Sequence, residues 1–179
     1  MDGLPLGIEL AAAWTSQYSA AEIARAMENN LDFLATQRQD VPDRHRSLQA
    51  VFEQSWRLLG EREQAVLAVA AVFQGQFRRE AAVTVIETTF MALASLVDKS
   101  LLRRSVDGWY ELHPLLRQFA SYKQKQFETV MVQARPRYIR HYLHLIMDQE
   151  ANLDTTAAPG ALRQLRRHLP NIRQAWEWA

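Results

Sequence analysis

From Ser47 onward the apolar residues recur with helical spacing. Leu48, Val51, Phe52, Ser55 and Leu59 fall at i, i+3, i+4, i+7 and i+11, one stripe along one face. Gly60 is expected to end that helix. Val66, Val69, Ala70 and Phe73 repeat the spacing, and Gly75 closes the second segment. A short helix is predicted over about 79–86, and Phe90, Leu93, Ala94, Val97 and Leu101 form the stripe of another. The period then shortens. Residues 101–105 and 109–112 read as strands, with Asp107-Gly108 as the hairpin turn between them. Helices followed by a two-stranded hairpin is the order of a winged helix. Leu112, Leu115, Leu116 and Phe119 place a further helix directly after it.

Both flanks are helical too. Gly3-Leu4-Pro5-Leu6 is a turn signal leading into a first helix, where Pro5 suits the opening turn because its missing N–H has no partner to lose. Ser19 can cap a second helix with Glu22 as its capping-box partner, and Ile23, Ala26 and Met27 share a face. The mixed-charge stretch 37–46, with Pro42, reads as a linker. Beyond the hairpin, Tyr138, Tyr142, Leu145 and Ile146 share a face of one long helix over about 130–153, with a break or late onset expected at Pro136. A loop at 154–160 leads to a helical pair divided at Pro170. The last helix carries Leu169, Ile172, Ala175, Trp176 and Ala179 as an apolar stripe with nothing after it as a cover. Such a face suggests that the chain continues into a helical repeat array, and that the C-terminal helices can self-associate meanwhile. The fold expected is mainly α in three parts: a small helical bundle over 1–43, a winged-helix domain over 44–127, and a helical linker with the first repeat-like helices over 128–179.

Composition narrows the class. A hydrophobic share of 48% and a charged share of 23% belong to a globular chain rather than a disordered one. No apolar run reaches bilayer length, and the N-terminus lacks a basic-then-apolar leader, which fits a cytoplasmic protein. With Cys at 0 there is no disulfide framework and no thiolate metal site. A net charge of +1 exerts no general pull on nucleic acid, but it is unevenly spread. Residues 1–46 carry 4 basic and 7 acidic side chains, whereas 129–179 carry 7 basic and 4 acidic. A solvated surface accounts for this, as does a basic face used in intramolecular docking.

Five segments, in order, carry a resemblance. They are Gly3-Leu4-Pro5-Leu6 with Ile8-Glu9-Leu10-Ala11-Ala12-Ala13; Arg44-His45-Arg46-Ser47-Leu48; Leu96-Val97-Asp98-Lys99-Ser100-Leu101-Leu102; Leu112-His113-Pro114-Leu115-Leu116-Arg117-Gln118-Phe119-Ala120; and Asn171-Ile172-Arg173-Gln174-Ala175-Trp176-Glu177-Trp178-Ala179. Together they resemble the bacterial STAND-type signal-transduction ATPases with an NB-ARC-like core, many of them large transcriptional regulators. The resemblance implies a regulatory fragment covering the helical domain, the winged helix and the start of a TPR-like repeat region. Its partners would be the nucleotide-binding domain and the sensor repeats of the same parent chain. ADP or ATP with Mg would bind in that parent, and no cofactor in this fragment. By the same resemblance Pro5 packs near the adenine and His113 contacts the ADP β-phosphate, latching the resting state. Many relatives have Asp after that histidine, where this chain has Pro114. Without the resemblance, His113 reads as a partly buried histidine that ends a wing strand and caps a helix.

No glycine here is followed by Lys, so a Walker A loop is missing, and no nucleophile elbow is present; the fragment is not expected to be an enzyme. His141 and His144 lie three apart without an HExxH pattern and read as a solvated pair, not a metal site. Two other functions compete with the latch. One is a sequence-specific DNA-binding winged helix. The outward positions of its reading helix are expected at Ala92, Ser95 and Asp98, flanked by Lys99, which offer little to a base edge, so DNA binding by this segment is expected to be unlikely. The other is a helical protein–protein interaction module using Trp176 and Trp178.

Overall fold

The computed structural model describes residues 48–156 and 158–179, together with Ser19 and Ala21. The helices expected before Leu48, and Pro5 with them, lie outside the described residues. Seven α-helices and three short strands follow in order: α1 Leu48–Arg57, α2 Glu61–Ala70, β1 Phe77–Arg78, α3 Arg79–Ile86, α4 Phe90–Asp98, β2 Arg103–Arg104, β3 Trp109–Glu111, α5 Pro114–Lys123, α6 Glu128–Leu153 and α7 Ala158–Trp178. A single 3-10 turn, Gln124–Phe127, joins α5 to α6. The chain is mainly helical, as expected. No single helix among the described residues is long and apolar enough to cross a membrane.

The sheet has one more strand than the hairpin. β1, from the connection after α2, pairs antiparallel with β3, giving the order β1-β3-β2 with Phe77 opposite Tyr110 and Arg104 opposite Tyr110 on its other side. Two residues are too few for a period-2 signal, so β1 left no pattern to read. The wing turn also differs from a two-residue Asp-Gly loop. Ser105 N–H donates to the Trp109 carbonyl at 2.8 Å, leaving Val106, Asp107 and Gly108 as a three-residue connection. Among the described residues Gly108 is the glycine at positive φ, +80°, which lets the turn close without a Cβ clash.

Gly60 does not end α1; it opens α2. Its N–H donates to Glu63 Oε2 at 2.9 Å, while Leu58 and Leu59 turn back on Ser55 and Trp56. The second helix stops at Ala70, and Ala71–Phe73 continue as tight i−3 turns, burying every residue from Val66 to Phe73. An apolar run buried on all sides carries no stripe, hence the misplaced end.

The two expected proline breaks are absent. α6 runs through Pro136 and α7 through Pro170. An interior proline removes one hydrogen bond and costs about 3 kcal/mol in isolation. Tertiary packing offsets this in both helices. Met131, Ala134, Tyr138 and Tyr142 bury one face of α6. Pro170 sits over Gly75, where an added Cβ would come within 3.4 Å of its Cγ. Gly75 is therefore a contact surface for Pro170 rather than a helix stop.

The core runs without interruption from Phe52 to Ala175. At one end α1 lies on α5 through Phe52, Trp56 and Phe119, with ring centroids 5.6 and 5.9 Å apart. Buried Lys123 pairs with Glu53 and lies over the Trp56 and Phe119 rings. At the other end Phe73 stacks on Phe77 at 4.1 Å and meets Tyr138 of α6 at 5.5 Å. Asn171 of α7, fully buried, holds the strand-entry loop from both sides. It accepts from Gln74 N–H at 2.8 Å and donates to the Gln76 carbonyl at 2.9 Å, while the Tyr138 hydroxyl reaches its oxygens at 3.1 Å. The stripe expected on α7 is thus partly covered by α6: Ala175 is buried, whereas Leu162, Leu169 and Trp176 face outward.

Candidate functional site

Two helices and the wing form the only arrangement here with a recognisable docking geometry among the described residues. α3 and α4 meet at 112° across the three residues Glu87, Thr88 and Thr89. Helix pairs at 90–120° over three or four residues are the helix-turn-helix arrangement. Local chemistry sets that corner. Glu87 ends α3 in a left-handed conformation at φ 56°, its N–H donating to the Val83 carbonyl, and its carboxylate pairs with Arg137 of α6 at 2.8 Å. Thr89 caps α4, its hydroxyl accepting from Ala92 N–H at 3.3 Å. At the far end Ser100, also at positive φ, lets the Leu101 and Leu102 N–H groups both reach the Leu96 carbonyl, which folds Leu101 and Leu102 into the core before β2.

The orientation of α4 on α2 is fixed by one carboxylate. Glu63 receives Lys99 Nζ at 2.6 Å, Ser95 Oγ at 2.5 Å and Gly60 N–H. These hydrogen bonds, in that order, hold its carboxyl down to about 2. The consequence for α4 is a phase different from the expected one. Ala92 and Ser95 are half-buried against the domain, and the outward residues are Phe90, Met91, Asp98 and Lys99. Phe90, placed in the apolar stripe by spacing, is instead exposed, because the stripe is centred on Leu93 and Leu96.

Positive charge gathers on the wing. Arg103 and Arg104 are exposed on β2, and Arg78 and Arg79 are exposed where β1 passes into α3. The Arg78 and Arg104 guanidiniums both reach Gly108, each with a nitrogen 3.9 Å from where a Cβ there would stand. Arg78 donates to the Asp107 carbonyl at 3.0 Å, and Arg167 of α7 pairs with the Asp107 carboxylate at 3.2 Å. The wing is thus lashed to α7. Arg78, Arg79, Arg103 and Arg104 were legible together in the chain as candidate phosphate contacts, but the reach of Arg167 to the wing needed the unbroken α7.

His113 lies half-buried directly after β3, at the N-cap of α5, with Nδ1 accepting from Leu115 N–H at 3.3 Å. Pro114 occupies the first helical position, where proline is preformed for the turn, which gives that residue a local reason independent of any ligand. His141 is half-buried against Tyr142 rather than solvated, and burial pushes its imidazole below the usual range. Among the described residues no group of three or more His, Asp or Glu is placed to hold a metal ion. Two polar side chains that matter to the architecture went unread, Asn171 and His168. Asn171 had a signal, a polar residue inside an apolar stripe beside a proline.

Comparison with known proteins then bears on the DNA question. No family model matches the chain, and no solved structure matches it. Over its whole length the chain is 31% identical to the "Putative HTH-type transcriptional regulator Mb0914c" of Mycobacterium bovis and, equally, to the correspondingly named Rv0890c of Mycobacterium tuberculosis. It spans about a fifth of these curated relatives, 21% of their length. The expectation against DNA binding is corrected on this ground. The outward set differs as well, since Ala92 and Ser95 are half-buried while Asp98 is exposed. The similarity is to transcriptional regulators of the HTH type.

Proposed function

We propose that the chain is the winged-helix segment of an HTH-type transcriptional regulator and meets DNA chiefly through phosphates. The observation that carries this reading is the 112° corner of α3 and α4 followed by an arginine-bearing wing. The names of the relatives support it. Phe90, Met91, Asp98 and Lys99 present few hydrogen-bond partners to base edges, whereas Arg78, Arg79, Arg103 and Arg104 suit phosphate oxygens. Binding of this kind is steep in salt and shallow in sequence, because each neutralised phosphate releases counterions. The segment does no chemistry of its own; it positions a regulator on DNA. In fluorescence anisotropy with a short duplex, log K falls linearly with log salt, and Arg103→Ala with Arg104→Ala lowers that slope by about two. A salt-independent affinity, or a slope unchanged in the double variant, overturns the reading.

A second reading rests on His113 and on the resemblance to STAND-type ATPases. There the chain relays nucleotide state inside a longer protein, and His113 touches the ADP β-phosphate supplied by a separate nucleotide-binding domain. Its Nδ1 is engaged as an acceptor, so the neutral ring carries its proton on Nε2. One charge-assisted bond made only in the ADP state shifts the equilibrium by about ten- to a hundredfold. In the longer protein, His113→Ala therefore loosens ADP by that factor. An unchanged ADP affinity removes this reading and leaves the DNA reading standing.

A further inference from the structure

Beside the wing, the first half of α7 leans on β3 and leaves an open cleft of about 880 Å³, walled by Arg78, Glu80, Trp109, Arg163, Arg167 and His168. Three guanidiniums face one carboxylate there. The helix end adds to this sign, since the first turn of a long helix carries partial positive charge. Burial first, and then His141, Arg78 and Arg167, push His168 down to about 4.

The floor of the cleft is polar and unpaired. Trp109 and His168 are 4% and 7% exposed, with ring centroids 4.9 Å apart. Neither the Trp109 Nε1–H nor the His168 Nδ1 meets a partner within the protein. Buried polar groups are nearly always hydrogen-bonded, and two adjacent exceptions in one cleft call for a partner from outside. The indole faces are closed to it: the Arg78 and Arg167 guanidiniums lie over the ring, each 4.6 Å from its centroid. A nucleobase therefore has no face to stack on. What stays unpaired is a buried N–H edge beside the guanidiniums.

We propose that this cleft binds a phosphate-type oxyanion, held by Arg78, Arg163 and Arg167 and accepting a hydrogen bond from Trp109 Nε1–H. Several divergent donors suit an anion with three acceptor oxygens better than a planar carboxylate. The phosphate belongs to a small phosphorylated molecule or to a DNA backbone. The site shares Arg78 with the DNA contact proposed above but not Arg103 and Arg104, which do not wall the cleft.

The test uses the 179-residue chain labelled with 15N and titrated with inorganic phosphate at constant ionic strength. The Trp109 indole N–H resonance shifts and saturates. Arg163→Ala, an exposed position that leaves the core untouched, weakens half-saturation about tenfold or more, and Arg103→Ala leaves it unchanged. A short DNA duplex that displaces phosphate at this resonance identifies the backbone as the source; failure to displace identifies a small phosphorylated ligand. An unmoved indole resonance overturns the proposal, as does a response that is linear in phosphate and identical in Arg163→Ala. Saturation by phosphate in a chain that shows no salt-dependent DNA binding keeps this site and removes the DNA reading. The reverse pattern removes only the site.

Discussion

Replacing Asn171 by alanine lowers the stability of the chain by about 2–5 kcal/mol, the largest effect expected of any polar substitution here. The amide is fully buried and serves three partners at once: Gln74 N–H, the Gln76 carbonyl and the Tyr138 hydroxyl. Truncation takes this partner from the Gln74 N–H and the Gln76 carbonyl, each costing about 1–3 kcal/mol when left unpaired, while the Tyr138 hydroxyl keeps the main-chain oxygen of residue 171. Asn171→Asp is no rescue. It keeps the acceptor for Gln74 but turns a carboxylate oxygen toward the Gln76 carbonyl, where a donor stood. Urea unfolding reads the effect as a lower midpoint at constant slope. A loss below about 0.5 kcal/mol, the range of ordinary surface substitutions, contradicts the role given to this side chain.

Acid unfolding comes in two stages, and His168→Phe shrinks the upper one. His168 is buried between Trp109 of β3 and Tyr142 of α6, and it faces Arg78, Arg167 and His141. Burial first, and then those positive groups, hold it at about 4 against an ordinary 6.5. The unfolded chain therefore takes up this proton first. Stability is full above pH 6.5 and is lost as pH falls from 6.5 toward 4, by at most roughly 3 kcal/mol at 1.36 kcal/mol per pH unit. Glu63 acts in a lower window. Its folded value of about 2 lies below an ordinary 4.5, so its contribution is complete above pH 4.5 and disappears as pH drops toward 2. Chemical denaturation at pH 7, 5 and 4 separates the two. The native chain loses most of its upper-stage stability by pH 4, and the phenylalanine variant loses less through that interval, keeping the part that half-buried His141 contributes. Parallel pH profiles in the two proteins defeat the assignment to His168.

How much of this was legible depended on whether a feature carries its own period or turn chemistry. The winged-helix order was readable because Asp107-Gly108 punctuates two strand-like runs and Leu115, Leu116 and Phe119 restart a helical stripe. β1 was not, since two residues have no period and pair only through the later β3. Pro136 and Pro170 misled for the same reason as Phe90. Local preference was read correctly in each case, and tertiary packing overrode it: Gly75 receives one proline ring, and Leu93 with Leu96 draws the α4 stripe away from Phe90. The candidate interface was half visible. Arg103 and Arg104 stand out in the chain, but Trp109 between two guanidiniums, and His168 behind it, unite residues separated by up to 90 positions along the chain, which spacing does not reveal.

The left-handed turn at Glu87 has a mechanical consequence. Glycine adopts that backbone shape with less strain, yet a glycine there would sever the link to Arg137 and leave the bend between α3 and α4 to core packing and to the Glu63 contacts of α4. With glutamate in place, an ion pair ties the corner that presents α4 to the longest of the described helices, beside the packing of α3 on α6.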